Sequence, residues 1–192
     1  MAELMVDYIT SLDGFGGADG WPGLWGMGGR EYAEFLAAEQ AQDYRVLLGA
    51  ATYRLFAEMA AAGAEGVKEL TARPKTVFSR SLADPLTWAN TTLVAGDAVT
   101  AVRALKEDGG TSLRTIGSPS LCRSLLRAGL VDRFRVVVFP VITGATGHAR
   151  IYDQLPDVAL DVVDTRVFDG SLYLLEAVPT VLTGPPEAVA DE

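Results

Sequence analysis

The sequence predicts one α/β domain built on a mostly parallel sheet that a C-terminal antiparallel hairpin completes. Short β-prone runs alternate with helical patterns from residue 4 to residue 142, as parallel strands joined by crossover helices require. Two longer β-prone segments, 158–168 and 171–178, flank Asp169 and Gly170, a dipeptide typical of tight hairpin turns. The 192 residues are 49% apolar and 21% charged, which suits a single buried core.

The predicted elements follow in a regular order. The earlier strands are expected at residues 4–10, 45–48, 75–78, 91–94, 113–116 and 134–142. Helices are expected at residues 30–42, 53–60 and 98–107, and after Ser118 and Pro119, which are favourable as N-cap and first helical residue. Thr52 is expected to cap the second helix. The apolar run 134–142 predicts a central strand, with Pro140 at an edge or a bulge.

The glycine-rich segment from Gly14 to Gly29 separates the first strand from the first helix. A Rossmann fingerprint is rejected, because there the helix begins directly after the glycines. A long mobile loop that closes as a lid over a site fits better, with Trp21, Trp25 and Phe35 as candidate substrate contacts. The alternative is that the tryptophans fill the core.

Composition excludes several function classes. The net charge of −9 disfavours a nucleic-acid partner, and no apolar stretch is long enough to span a membrane, so we expect a cytoplasmic protein. The single cysteine, Cys122, and the single histidine, His148, make a metal site improbable. We expect Cys122 to be a buried thiol and His148 to be a loop residue. Serine-hydrolase, zinc-protease and P-loop motifs are absent from the sequence.

Three strand ends carry candidate anion sites. A strand that turns into a helix directs free N–H groups outward, and a glycine there lets a phosphate approach the main chain. An arginine between two serines at a third strand end suits a ribose or its phosphate. The alternative is that these residues have no binding role and form ordinary capped helices and a solvated arginine. The candidates are Gly49, Ala50, Ala51, Thr52, Ser79, Arg80, Ser81, Gly117, Ser118, Pro119, Ser120 and Leu121.

Two carboxylates, Glu31 and Glu34, lie at the start of the first helix. Either one can clamp an aminopyrimidine-like edge through paired hydrogen bonds. Their favourable interaction with the helix macrodipole is the rival explanation.

The order of these signals resembles the bacterial dihydrofolate reductase-like family that includes the reductase domain of riboflavin biosynthesis. The resemblance covers residues 3–178 and lies in SLDG at 11–14, LLGAATY at 47–53, TVFSRSL at 76–82, IGSPSL at 116–121 and the segment 125–147. It implies a three-layer fold with a mostly parallel sheet of about eight strands over residues 1–183. Residues 184–192 are expected to form a flexible acidic and proline-rich tail.

The resemblance also implies site roles. The main chain at Ile9 and the loop at Gly16 would contact the nicotinamide. Residues 49–52 would bind the pyrophosphate side, residues 79–81 the adenosine ribose, and residues 117–121 the central phosphates, with a cis peptide between Gly117 and Ser118. Ala50 and Ser120 depart from the family pattern, which commonly has arginine at both places. Preference for NADPH over NADH would then depend on Arg80.

The implied function is NADPH-dependent hydride transfer to a small planar heterocycle such as a pterin or a pyrimidine. Asp13, Glu31 or Glu34 would be the catalytic proton donor, with water as the alternative. A non-catalytic nucleotide- or flavin-binding protein on the same fold is the first rival, and a partner-docking domain is the second. A homodimer is expected because relatives in the riboflavin branch commonly pair.

Overall fold

A computed structural model describes residues 1–185 of the chain. Its strands are β1 (Leu4–Ser11), β2 (Phe15–Ala18), β3 (Tyr44–Gly49), β4 (Lys75–Phe78), β5 (Thr91–Val94), β6 (Ser112–Thr115), β7 (Arg133–Phe139), β8 (Gly147–Arg150), β9 (Val158–Phe168) and β10 (Leu172–Val181). Its α-helices are α1 (Arg30–Gln40), α2 (Ala50–Ala61), α3 (Lys68–Ala72), α4 (Ala98–Glu107) and α5 (Pro119–Arg127). Short 3₁₀ helices cover Gly23–Gly26 and Glu65–Val67.

Eight strands form the large sheet in the order β5-β4-β3-β6-β1-β7-β10-β9. Strands β1 and β3 to β7 pair in parallel, whereas β10 is antiparallel to both β7 and β9. This arrangement confirms the predicted fold class. Asp169 and Gly170 join β9 to β10 with φ of 52° and 70°, the left-handed pair that the tight hairpin turn requires.

Helices cover both faces of the large sheet and make the three predicted layers. α4 and α5 pack on one face around Leu4, Val6 and Leu125, and α1, α2 and α3 lie on the other. Cys122 on α5 is fully buried, as expected. β7 is a central strand between β1 and β10, and Pro140 directly follows its end, where the missing N–H breaks no ladder.

The glycine-rich segment is only partly a loop, so the expectation of one continuous long loop is wrong, whereas its closure over a site stays a prediction. β2 pairs antiparallel with β8 and forms a separate two-stranded ribbon. Glycine is needed in this ribbon because a Cβ at Gly17 would lie 2.6 Å from the His148 ring, and one at Gly147 would lie 2.5 Å from the Phe15 ring. His148 lies on β8 and is a strand residue, not the loop residue that was expected. Its Nδ1 lies 3.1 Å from Oδ1 of Asp19.

A network of charged side chains ties α1 to the large sheet. Arg135 on β7 lies 2.6 Å from the carboxylate of Asp7 on β1 and 2.6 Å from that of Glu39 on α1. Arg114 on β6 contacts the same Glu39 oxygen at 2.9 Å. Both arginines are buried, and charge pairing offsets the cost of removing them from water.

Two further findings concern the ends and surface of the chain. The expected tail begins at Gly184, and residues 186–192 of it lie outside the described residues. None of the helices in residues 1–185 has the length and apolar character needed to cross a lipid bilayer.

Candidate functional site

The carboxyl ends of the parallel strands meet at one edge of the large sheet. At this edge, the helices that follow neighbouring strands lie on opposite faces of the sheet. α5 follows β6 on one face, whereas α1 and α2 follow its neighbours β1 and β3 on the other. Such a switch in direction opens a crevice outside the strand ends, where α/β proteins bind ligands. The candidate site therefore lies at the ends of β3, β6 and β1.

The two predicted glycine turns meet at the β3 side of this crevice. The N–H of Gly49 donates to Oγ of Ser118 at 2.8 Å, and that hydroxyl lies 2.9 Å from Oγ1 of Thr52. Thr52 lies inside the first turn of α2 and is not its cap, which corrects the expectation. The turns are thus in direct contact, and the amide of Gly49 is already satisfied by the protein itself.

The amino termini of α2 and α5 carry the other amide donors at this edge. Among residues 1–185 no side chain caps either helix. The first-turn N–H groups at residues 50–52 and 120–121 therefore keep their partial positive charge. Pro119, the first residue of α5, has no N–H to contribute. The two termini together present a main-chain surface of partial positive charge.

Gly117 and Ser118 turn the chain into α5 without the cis peptide that the family resemblance implies. Their φ values are 56° and 63°, both left-handed, and the only cis bond in residues 1–185 precedes Pro85. The expectation of a cis bond is therefore wrong, because two successive left-handed residues already reverse the chain. Glycine adopts this conformation without strain, and two side-chain hydrogen bonds hold Ser118 in it.

The third predicted turn, residues 79–81, adjoins the start of α2, because β4 pairs with β3 and places Phe78 beside Gly49. Oγ of Ser79 accepts hydrogen bonds from the N–H groups of residues 81 and 82, both at 3.1 Å. Arg80 and Ser81 are exposed. Arg54 reaches this turn from α2 and donates to Oγ of Ser81 at 3.2 Å.

The β1 side of the crevice leaves strand backbone open. β1 pairs with β6 only at residues 4 and 5, but with β7 as far as Ser11. The backbone of Ile9 therefore has a strand partner on one side only, and its side chain packs in the core beneath α1. Gly16, the other residue expected near the nicotinamide, is half-buried on β2.

The carboxylate of Asp13 is used to anchor the loop after β7. It accepts hydrogen bonds from Oγ of Ser11 at 2.6 Å and from the N–H groups of Thr143 and Gly144 at 3.2 and 2.9 Å. The hydrogen bond from Ser11, followed by those from the amides, lowers the pKa of Asp13. Asp13 is therefore ionised at neutral pH and has no proton to donate.

Glu31 and Glu34 also have partners. Oε2 of Glu31 accepts from the N–H of Asp169 at 2.5 Å, and the Asp169 carboxylate accepts from the N–H groups of Glu31 and Tyr32 at 3.0 and 3.2 Å. This reciprocal cap joins α1 to the β9–β10 turn. Glu34 pairs with Arg30 at 2.8 Å on the exposed surface. These contacts account for both carboxylates without a ligand.

The three aromatic candidates lie in different surroundings. Trp25 is buried, with its ring centroid 5.0 Å from that of Phe139, as the core-filling alternative requires. Phe35 packs 4.9 Å from Phe168 beneath the hairpin. Trp21 is 44% exposed and is the one of the three that remains available to a ligand.

Sequence reasoning missed two residues that organise this edge. Arg54 could have been found from a weak signal in the sequence. It lies four residues after the candidate site residue Ala50 and so shares its helical face. The sequence predicted Asp169 as a turn residue. Nothing near it in the sequence indicates that it caps α1, since Asp169 and Glu31 are 138 residues apart.

Solved structures with the same fold come from several bacteria. A Shewanella sp. PV-4 protein provisionally assigned to riboflavin biosynthesis aligns with a TM-score of 0.70 and 19% identity, over 94% of this chain and 99% of that one. A pyrimidine reductase-like protein from Corynebacterium diphtheriae aligns with a TM-score of 0.65 and 16% identity, over 93% and 92% of the two chains.

The chain also aligns with part of a longer protein. That protein is a diaminohydroxyphosphoribosylaminopyrimidine deaminase/5-amino-6-(5-phosphoribosylamino)uracil reductase from Thermotoga maritima, with a TM-score of 0.67 and 17% identity over 93% of this chain and 57% of that one. No curated protein matches the sequence. Residues 2–174 match the model of the family described as the RibD C-terminal domain. The chain therefore belongs to the RibD C-terminal domain family.

Proposed function

We propose that this protein is an NADPH-dependent reductase of a small planar heterocycle. The observation that carries the proposal is the contact between two uncapped helix termini, those of α2 and α5, at the switch point of the sheet. Amide groups in this arrangement suit an extended anionic ligand such as a dinucleotide diphosphate. Family membership supports the same conclusion.

The donor set fits each part of NADPH in turn. Residues 50–52 and 120–121 offer main-chain N–H groups to the diphosphate. Ser81 and the neighbouring arginines offer hydroxyl and guanidinium donors to the adenosine end. The open backbone edge near Ile9 offers peptide groups to a carboxamide. The N–H of Gly49 is already hydrogen-bonded to Ser118 and is not available to a ligand, but the other donors are not affected.

NADPH, when bound, supplies a hydride from its dihydronicotinamide ring to a conjugated C=N or C=O carbon. The chain's own residues bind and orient the two reactants, and no side chain has to act as a nucleophile. The β2–β8 ribbon follows the end of β1, and the exposed Trp21 follows β2, so these are the parts of the chain that we expect to limit the access of water to the bound reactants. The accompanying proton comes from solvent water, since Asp13 and Glu31 are engaged elsewhere.

The substrate class is a pterin, a pyrimidine or a similar heterocycle. Two of the proteins with this fold are a pyrimidine reductase-like protein and a uracil-derivative reductase. A catalytically silent protein that binds a nucleotide or flavin is the alternative. Oxidation of NADPH, followed at 340 nm with a panel of pterins and pyrimidines, distinguishes the two. Tight binding without turnover would favour the silent protein.

NADPH is expected to stabilise the fold. At a concentration 100 times Kd, a ligand that binds only the folded state adds about 2.7 kcal/mol. For a domain of this size, each kcal/mol raises Tm by about 2–4 °C, so a rise of about 5–10 °C is expected. Differential scanning fluorimetry with NADPH and NADH measures it. No shift with either nucleotide would remove the basis of the proposed function.

The outer face of the β9–β10 hairpin supports a homodimer. Residues that pair directly across two strands share a face, so Val167 lies beside Tyr173, and Val162 and Leu160 continue the same face. All four side chains are at least 40% exposed, and none is charged. A flat apolar patch of this kind marks an interface on a soluble protein, and a second copy presents the matching patch through two-fold symmetry.

A charge on this face is expected to prevent dimerisation. Val167→Asp places a carboxylate within the proposed interface, whereas Thr180→Asp places one on the opposite face of the same hairpin. Light scattering after size exclusion should give twice the chain mass for the wild type and for Thr180→Asp. It should give the single-chain mass for Val167→Asp. A monomeric wild type would contradict the dimer.

A further inference from the structure

We propose that Arg54 binds the 2′-phosphate of NADPH and determines the preference for NADPH over NADH. This inference rests on the proposed function and names a residue for the adenosine end of that site. In this chain Ala50 stands where the family pattern has an arginine after the glycine. Arg54 supplies the missing guanidinium from one helical turn further along α2.

The geometry of α2 allows Arg54 to take the role of an arginine at position 50. Residues four apart in an α-helix lie one above the other on the same face. Long side chains also lean toward the helix N-terminus, so an arginine in the second turn covers the surface of the first. The guanidinium of Arg54 is accordingly found at the strand-end turn, 3.2 Å from Oγ of Ser81.

The position of the guanidinium favours Arg54 over Arg80 as the phosphate ligand. Among residues 1–185, neither arginine forms an ion pair with a carboxylate. The guanidinium of Arg54 is held at the strand-end turn by Oγ of Ser81. Hydrogen bonds from Thr100 lower the pKa of Asp97, and the positive charge of Arg80 lowers it further, so part of the field of Arg80 acts on that carboxylate.

The chemistry of the two side chains fits a phosphate dianion. A guanidinium has five N–H donors, and the hydrogen bond to Ser81 uses one of them. The others can bind two phosphate oxygens side by side, and the Ser81 hydroxyl can donate to a third. The bland alternative is that Arg54 only tethers α2 to the turn, through an exposed hydrogen bond of little energetic weight.

Nucleotide affinities separate these two roles. Arg54→Ala is expected to raise the Kd of NADPH about 10- to 100-fold, because a charge-assisted hydrogen bond contributes about 1.5–3 kcal/mol. The Kd of NADH should change less than about threefold, since NADH lacks the 2′-phosphate. Calorimetric titration with NADPH, NADH and adenosine 2′,5′-bisphosphate gives both values without a substrate. Arg103→Ala, an exposed arginine on α4, is the control and should leave all three unchanged.

A rescue variant tests the helical-face argument. Ala50→Arg in the Arg54→Ala background returns an arginine to the same face of α2, and we expect it to recover most of the NADPH affinity. Equal weakening of NADPH and NADH, or no weakening while the wild type binds NADPH, would overturn the role of Arg54. A wild type that binds neither nucleotide would instead overturn the proposed function. Circular dichroism of each variant checks that α2 remains folded.

Discussion

Replacing Arg135 by Met is expected to lower the free energy of unfolding by about 3–5 kcal/mol, because it leaves the half-buried carboxylate of Asp7 without a partner and removes one of the two arginines that pair with Glu39. The Arg135 side chain is 5% exposed and contacts both Asp7 and Glu39 at 2.6 Å. After the substitution Glu39 keeps Arg114, but Asp7 loses its only ion pair among the described residues. Urea unfolding at pH 7 measures the loss.

A matched control lies two residues away on the same strand. Arg133 is 31% exposed, and its ion pairs with Glu3 and Glu176 are long, at 3.6 and 3.9 Å. Arg133→Met should therefore cost less than about 1 kcal/mol, as exposed pairs usually do. Equal losses for the two variants would show that the buried network does not hold α1 on the sheet.

The pH dependence gives a second check on this network. Burial by itself raises the pKa of Glu39, but the hydrogen bonds and charges of Arg135 and Arg114 outweigh it and lower the pKa overall. A lowered carboxyl pKa in the folded state contributes stability above its unfolded value, and this stability is lost as the pH falls through the folded value. The difference between wild type and Glu39→Gln should accordingly shrink from pH 7 toward pH 3. A constant difference would contradict the ionic account.

Placing a carboxylate at Gly117 is expected to abolish most cofactor binding. A Cβ at this position would lie 3.7 Å from Oγ1 of Thr52, so a small side chain fits beside the helix termini. Asp and Asn are among the residues that tolerate the left-handed φ of 56° found there. Two like charges about 4 Å apart near a protein surface repel by about 4 kcal/mol, so we expect Gly117→Asp to raise the Kd of NADPH at least about 100-fold.

Gly117→Asn separates charge from shape, because it has nearly the same size and the same backbone strain without the negative charge. The Kd of the Asn variant should stay within about tenfold of the wild type, which is about 1.4 kcal/mol. The Asp variant should have a Tm at least as high as that of the Asn variant, since a carboxylate at the start of α5 interacts favourably with the helix macrodipole. Equal affinities for the Asp and Asn variants would show that phosphate does not bind at this turn.

The sequence by itself determined the strands of the large sheet, four of the helices and their order, but not β2, β8 or α3. The hairpin turn at Asp169 and Gly170, the bounds of α4 and the start of α5 all agree with local patterns, because turn chemistry, capping and periodicity act within a few residues. The two glycine turns at the ends of β3 and β6 were located for the same reason. A repeated strand-helix order then restricts the topology to a mostly parallel sheet.

Only the tertiary structure decided which polar groups at the strand ends are still available. Asp13 is taken by amides 130 and 131 residues away, Glu31 by an amide 138 residues away, and Gly49 by a hydroxyl 69 residues away. The β2–β8 ribbon and the reach of Arg54 to Ser81 likewise join distant segments. A hydrogen-bonding group in the sequence shows its capacity, but its partner is set by which segments the completed fold brings within about 3 Å.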